Sequence, residues 1–387
     1  MKVNQVYSIL NDINSQLFGD SVLATHDLSG IVSMGTNVIG NAVSTDKFLN
    51  LLVDRIGKTV IRRLDAQLDF PSLYMNEFQF GAVLAKYNVQ PIQAVSSNNW
   101  EIGNGAFTPS FADIHKPSVS VKYFDGLDTA SFIVTIPFHQ MESAFTSESA
   151  MAAFFDAIVA ALNDSLVVSI NNMSRTAVNN FIAEKIKAQN GVINLLTEYN
   201  ATFTPTLTQA EAIVSPNFLR FASAKIKQYM KYMSQPSVLY NADGNLRATA
   251  RDNMHVLVNT EFAVNSQVWL ESDTYWKEIV SLGGYTGYTE VPFWQGDHTA
   301  TGDNAFATNS AIDVIPSSEE GQVSPTAVQQ TGIIAVLADR QAIAVGINKR
   351  RSGTWTNPID MYTNIKEEFD TQYINDLGEN GLIFLCA

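Results

Sequence analysis

The chain has 387 residues, 46% of them hydrophobic and only 16% charged, with a formal net charge of −14. That length exceeds one ordinary core and predicts two or three lobes, and so low a charged fraction fits either a surface covered in an assembly or a polar, uncharged globular surface. The acidic balance argues against a protein that grips nucleic acid through a basic face, although it is compatible with a wall that encloses DNA without holding it.

Residues 1–45 are rich in Asn, Ser, Thr and Gly and hold no self-contained core, so the segment is expected to wrap a neighbour or stay mobile. A helix follows: Thr45 can cap it, Asp46 suits its positive end, and Phe48, Leu51, Leu52 and Ile56 share a face before Gly57 ends it.

Residues 60–140 read as strand and loop. Phe78-Gln79-Phe80-Gly81-Ala82-Val83-Leu84 is one candidate strand, and Val119-Ser120-Val121-Lys122-Tyr123 alternates so that Val119, Val121 and Tyr123 share a face. Ser131-Phe132-Ile133-Val134-Thr135-Ile136 is a third, ended by Pro137, and the turn-formers Asn98, Asn99, Asn104 and Gly105 separate the first two. A lone antiparallel arm is marginal in water. It needs a second molecule to cover it, and Phe80, Val83, Val121, Tyr123 and Phe132 are the residues expected to make that contact.

From Ser147, apolar residues recur at Met151, Phe154, Phe155, Ile158, Leu162, Leu166, Ile170, Met173, Val178, Phe181, Ile182 and Ile186, mostly three or four apart and without proline. One helix of about 60 Å, at about 1.5 Å per residue, is preferred to two helices broken near Asn163 or Asn171. Phe154, Ile158, Leu162, Ile170 and Phe181 are its expected core contacts, and Gly191 lies just past its end.

Beyond Gly191 the pattern is mixed. Strands are expected at 192–196, 237–240 and 255–259, helices from Thr208 or Ser215 and over 218–232, a turn at 241–244, and short helical pieces at 262–269 and 274–280. Residues 281–330 are loop-rich. The apolar runs 332–338 and 342–345 flank Asp339-Arg340-Gln341 as a hairpin would. The chain turns at Asn357-Pro358, and 381–385 is apolar on both faces, as in a buried strand.

Signals of chemistry are weak. His26, His115, His139, His255 and His298 show no metal-ligand spacing, and Gly283-Gly284-Tyr285-Thr286-Gly287 lacks the Lys-Ser/Thr of a phosphate loop. The one cysteine, Cys386, excludes a disulfide within the chain and reads as a buried, inert thiol. Adjacent Glu319-Glu320 and Glu367-Glu368 share no face and are expected in solvent, and Asn348-Lys349-Arg350-Arg351 reads as a solvated turn. No catalytic constellation, cofactor site or metal site is expected. Neither a signal peptide nor a stretch of about 18 uninterrupted apolar residues is present, which fits a cytoplasmic product.

The succession of polar arm, short helix, long β arm, very long helix, α/β lobe and returning β segment resembles the α+β Hong Kong 97-type phage capsid fold. Locally, the run from Phe48 to Arg62, with Leu52, Asp54, Arg55, Ile56 and Gly57 its most specific part, is similar to the N-terminal helix of major head proteins of small Bacillus-type podoviruses. Thr135-Ile136-Pro137, Ala144-Phe145-Thr146-Ser147, 247–262 and 334–348 are similar in a more degenerate way. The resemblance implies an N-terminal arm (1–45), a P-domain helix (46–59), an E-loop (60–140), a spine helix (141–190), an axial A-domain (191–354) and a returning P-domain segment (355–387). It implies a non-enzymatic head protein, assembled in the host cytoplasm into pentamers and hexamers that enclose double-stranded DNA, with scaffolding and portal proteins as partners and no membrane. An encapsulin-like compartment, a tail or connector protein, and an enzyme with an unrecognised site are the alternatives.

Overall fold

The computed structural model describes residues 15–16, 68–74, 84–90, 119–124, 127–137, 148–272, 288–295, 305–319, 321–357 and 359–387. In chain order its strands and helices begin with β1 (Leu84–Val89), β2 (Val119–Phe124), β3 (Leu127–Pro137) and α1 (Glu148–Lys187). There follow β4 (Val192–Asn194), α2 (Leu195–Thr202), α3 (Gln209–Val214), α4 (Pro216–Met233), β5 (Met254–Asn259) and α5 (Thr260–Ser272). The remainder are β6 (Tyr288–Val291), α6 (Ala305–Asn309), β7 (Ile312–Val314), β8 (Val328–Gln330), β9 (Ile333–Asp339), β10 (Ile343–Asn357), β11 (Tyr362–Asn375) and β12 (Gly381–Leu385).

The chain divides into two units, one of Met1–Phe80, Gly126–Thr176 and Ala344–Tyr373, the other of Gly81–Asp125, Ala177–Ile343 and Ile374–Ala387. In the first, a sheet of order β10-β11-β3 pairs Ile365 with Val134 and Phe369 with Ala130 in antiparallel register. Period-two alternation sends Thr363, Ile365, Glu367 and Phe369 to the buried side. Lys366, Glu368 and Asp370 take the other side. There Lys366 pairs with Glu368 at 2.5 Å, and Arg351 reaches Asp370 at 2.6 Å and Glu368 at 3.4 Å.

The second unit is built on a mixed sheet of order β4-β12-β9-β5-β6. Residues 333–338 and 381–385 are buried throughout, which is why these runs carry no polar alternation. Packed with this sheet are Phe218, Leu219, Ala222, Ile226, Met230 and Met233 from α4, and Phe262 from α5. Local chemistry starts these helices. Thr208 and Glu211 form a reciprocal capping box on α3, and Pro216 occupies the first turn of α4, where its missing N–H costs nothing.

Helix α1 runs unbroken for 40 residues. Its last stretch, 177–185, is buried on every side, polar residues included. Asn179 Nδ2 donates to the Trp294 carbonyl at 2.7 Å while its Oδ1 has no partner, and Asn180 exchanges two hydrogen bonds with Ser317. Glu184 accepts from the Ser318 N–H at 2.7 Å and from its hydroxyl at 2.8 Å. The helix stops where Gln189 and Gly191 take φ values of +49° and +71°. A side chain at Gly191 would strike the carbonyl oxygen of Gly381, so the close approach and the left-handed backbone both require glycine there.

Several expectations are corrected. Residues 333–339 and 343–357 are not paired as a hairpin: the turn at 340–342 passes the chain from one sheet to the other. Residues 237–240 form only an isolated bridge between Ser237 and Arg247, and residues 195–196 begin a helix instead of continuing the strand. Asn348-Lys349-Arg350-Arg351 lies within β10, where opposing carboxylates on β11 meet Arg351. Glu367 is 1% exposed, because in a strand it takes the face opposite Glu368. The expected helix at 46–57 and helical piece at 274–280 lie outside the described residues, as do His26, His115, His139 and His298.

Candidate assembly interface

Strands β1 and β2 form a two-stranded antiparallel ribbon that joins no other described strand. Its register pairs Ala85 with Tyr123, Tyr87 with Val121 and Val89 with Val119, placing all six on one face. That face is open: Tyr87 is 68% exposed, Val89 58%, Val119 53%, Val121 38% and Tyr123 66%. Scattered exposed apolar residues need no explanation, but large ones side by side mark an interaction surface. Complete burial of such a side chain contributes about 1.5–3 kcal/mol.

The opposite face carries Lys86 directly across from Lys122. Like charges in that position repel unless neutralised, and three carboxylates neutralise them. Lys86 Nζ donates to Asp376 Oδ2 at 2.9 Å and pairs with Glu379. Lys122 Nζ donates to Asp376 Oδ1 at 3.0 Å and lies 2.6 Å from Asp243 Oδ2. Arg247 pairs with Glu379 at 2.7 Å. Burial opposes ionisation of Asp376, yet the hydrogen bonds and charges of Lys86 and Lys122 hold its carboxyl below the ordinary value. At Glu379 burial prevails over Lys86 and Arg247, and the carboxyl is raised. For Lys122, bonding to Asp243 and Asp376 outweighs burial, so its ammonium is held above the usual lysine value.

Of the residues expected to make assembly contacts, Val121 and Tyr123 come together on the open face. Phe132 sits in the three-stranded sheet, its ring centroid 5.9 Å from that of Phe369. Phe80, Val83 and the motif Leu52, Asp54, Arg55, Ile56 and Gly57 lie outside the described residues. On α1, Leu162, Ile170 and Phe181 are buried, while Phe154 and Ile158 occupy its earlier turns. Sequence reasoning missed Tyr87 and Val89, although Ala85-Lys86-Tyr87-Asn88-Val89 carries the same alternation as the strand it pairs with. Among the described residues no group of three or more His, Cys, Asp or Glu could hold a metal ion, and no helix is long and apolar enough to cross a membrane.

The fold is shared with chains of solved phage structures. It matches a chain of the capsid structure of Staphylococcus phage Andhra with a TM-score of 0.52 at 9% identity, over 81% of this chain and 83% of that one. A chain of the structure of the head fiber and inner core protein gp22 of native bacteriophage P68 gives a TM-score of 0.52 at 9% identity over 83% of this chain and 85% of that one. At such identities the fold alone is shared. No curated protein sequence matches. The model of the Phi29-like phage major capsid protein family matches residues 8–385, and the chain belongs to that family. It is a structural subunit of a phage head shell and not an enzyme.

Proposed function

We propose that the ribbon of β1 and β2 is the base of an arm, residues 60–140, that lies across a neighbouring copy of the chain and closes the shell. The single observation that carries this reading is the open apolar face of Tyr87, Val89, Val119, Val121 and Tyr123. Such a face is stable only when covered, and in a head built of one major chain the covering surface is a sister subunit. Residues 191–354 act as the axial domain, meeting in fives and sixes. Residues 46–59, 141–190 and 355–387 form the peripheral domain, and 1–45 an arm that wraps a neighbour. Shells assemble in the host cytoplasm with scaffolding and portal proteins and enclose double-stranded DNA. The acidic net charge of −14 supports a wall that does not hold that DNA in place.

The test is deletion of residues 88–117, alongside the point variant Val121→Asp/Tyr123→Asp in the full chain. Both should give soluble, folded subunits that form no closed particles under negative stain. Shells at normal yield from both would refute the arm's role.

A further inference from the structure

We infer that the hairpin is held on its own body by a releasable charge clamp at its base, centred on Asp376. The consequence for the shell rests on the arm reading above, whereas the clamp itself is a property of the single chain.

Besides the carboxylates, Lys86 Nζ donates to the Gln341 carbonyl at 3.4 Å. The hairpin's strands pair only with each other among the described residues, and one face is open. The other face presents the two opposed lysines, and Asp376 takes one with each carboxylate oxygen. The carboxylate is itself fixed, because Asp376 Oδ1 also accepts the Gly378 N–H at 2.9 Å. Around it stand Asp243 and Arg247 from the loop after α4, Glu379 from the turn before β12, and the buried Lys185 of α1, whose charge interacts with Asp243 and Asp376. Asp339, at the end of β9, adds negative charge at Glu379. Counting Lys86, Lys122 and Arg247 against Asp243, Asp376 and Glu379, the paired groups balance. Removing one carboxylate leaves the facing lysines repelling each other at the root of the hairpin. A clamp of this kind can open without unfolding the sheet, because the two lysines are tied to it through ion pairs and belong to no strand of it.

Gly378 offers a way to test it. A methyl group there would overlap Asp243 Oδ2 and Lys122 Nζ, the free ends of two flexible side chains, so Gly378→Ala should fold normally and displace only that pair. Hydrogen exchange is followed by mass spectrometry on the unassembled full-length subunit, comparing wild type with Gly378→Ala, Asp376→Asn, and the swap Lys122→Asp/Asp243→Lys with its two single variants. Amides of 84–89 and 119–124 should exchange at least about ten-fold faster in Gly378→Ala and Asp376→Asn, a conversion of about 1.4 kcal/mol. Those of 254–259 and 333–339 should be unchanged. Each single charge reversal should release the hairpin and the swap should restore its protection. Unchanged hairpin exchange in Gly378→Ala and Asp376→Asn overturns the clamp. So does loss of protection in hairpin and central strands together, or a swap no better than its singles. Particle formation is scored separately, so failure of the arm reading leaves this result interpretable.

Discussion

Lys185, with no exposed surface, donates through Nζ to the carbonyl oxygen of Tyr240 at 3.0 Å and to Asn190 Oδ1 at 3.1 Å. Burial lowers its ammonium from 10.5 to about 8, against the pull of Asp243 and Asp376. Between those values the unfolded chain binds more proton than the folded one, so on this account stability rises with pH. Comparing denaturant unfolding of wild type and Lys185→Met from pH 8 to 10.5, the difference should shift toward the wild type by about 3 kcal/mol. A difference that stays flat would show that this lysine is solvated.

His255 gives the acid counterpart. It lies in the inner strand β5, 4% exposed, and burial followed by the positive charge of Arg340 lowers its imidazole from 6.5 to about 4. The neutral form is the folded form, so its contribution is complete above 6.5 and is lost as pH falls through 4. The unassembled subunit should lose about 3 kcal/mol across that window from this group, and His255→Gln should lose correspondingly less.

At Gly191, φ of +71° and the nearby Gly381 carbonyl act together. Gly191→Ala should cost about 2–4 kcal/mol, more than the usual penalty for a left-handed position, because backbone rather than a side-chain tip obstructs the methyl group. Chemical denaturation measures it. Gly244, at φ +64° with open space around it, is the control: its alanine variant should cost about 1 kcal/mol.

The Cys386 thiol is fully buried, and burial raises it to about 12. A thiolate-directed reagent at pH 8 should leave the native subunit unmodified and label one thiol per chain after denaturation. Native labelling at the denatured rate would contradict the packing of the segment after β12.

Much of this architecture was legible residue by residue. The apolar steps from Met151 to Ile186 specify one helix, the alternation at 119–123 specifies the ribbon's open face, and the unbroken apolar run at 381–385 specifies a buried strand. What escaped has a common cause. Asp339-Arg340-Gln341 signals that the chain turns, but a turn does not say which sheet each flanking strand joins. The charged residues of β10 and β11 resemble solvated loop until strand pairing brings Arg351 to Asp370. Lys122 and Asp376 lie 254 residues apart, so no local pattern links the partners of the clamp.

The five-stranded sheet has a temporal consequence. Its strand β12 sits between β4 and β9, so residues 381–385 supply the edge on which both depend. A ribosome releasing this polypeptide therefore holds an unfinished sheet until residue 385 has been made, however long β4, β5 and β9 have waited. Until then the facing edges of β4 and β9 stand unpaired, so completion of β12 is the step that removes them as sites of premature association during synthesis.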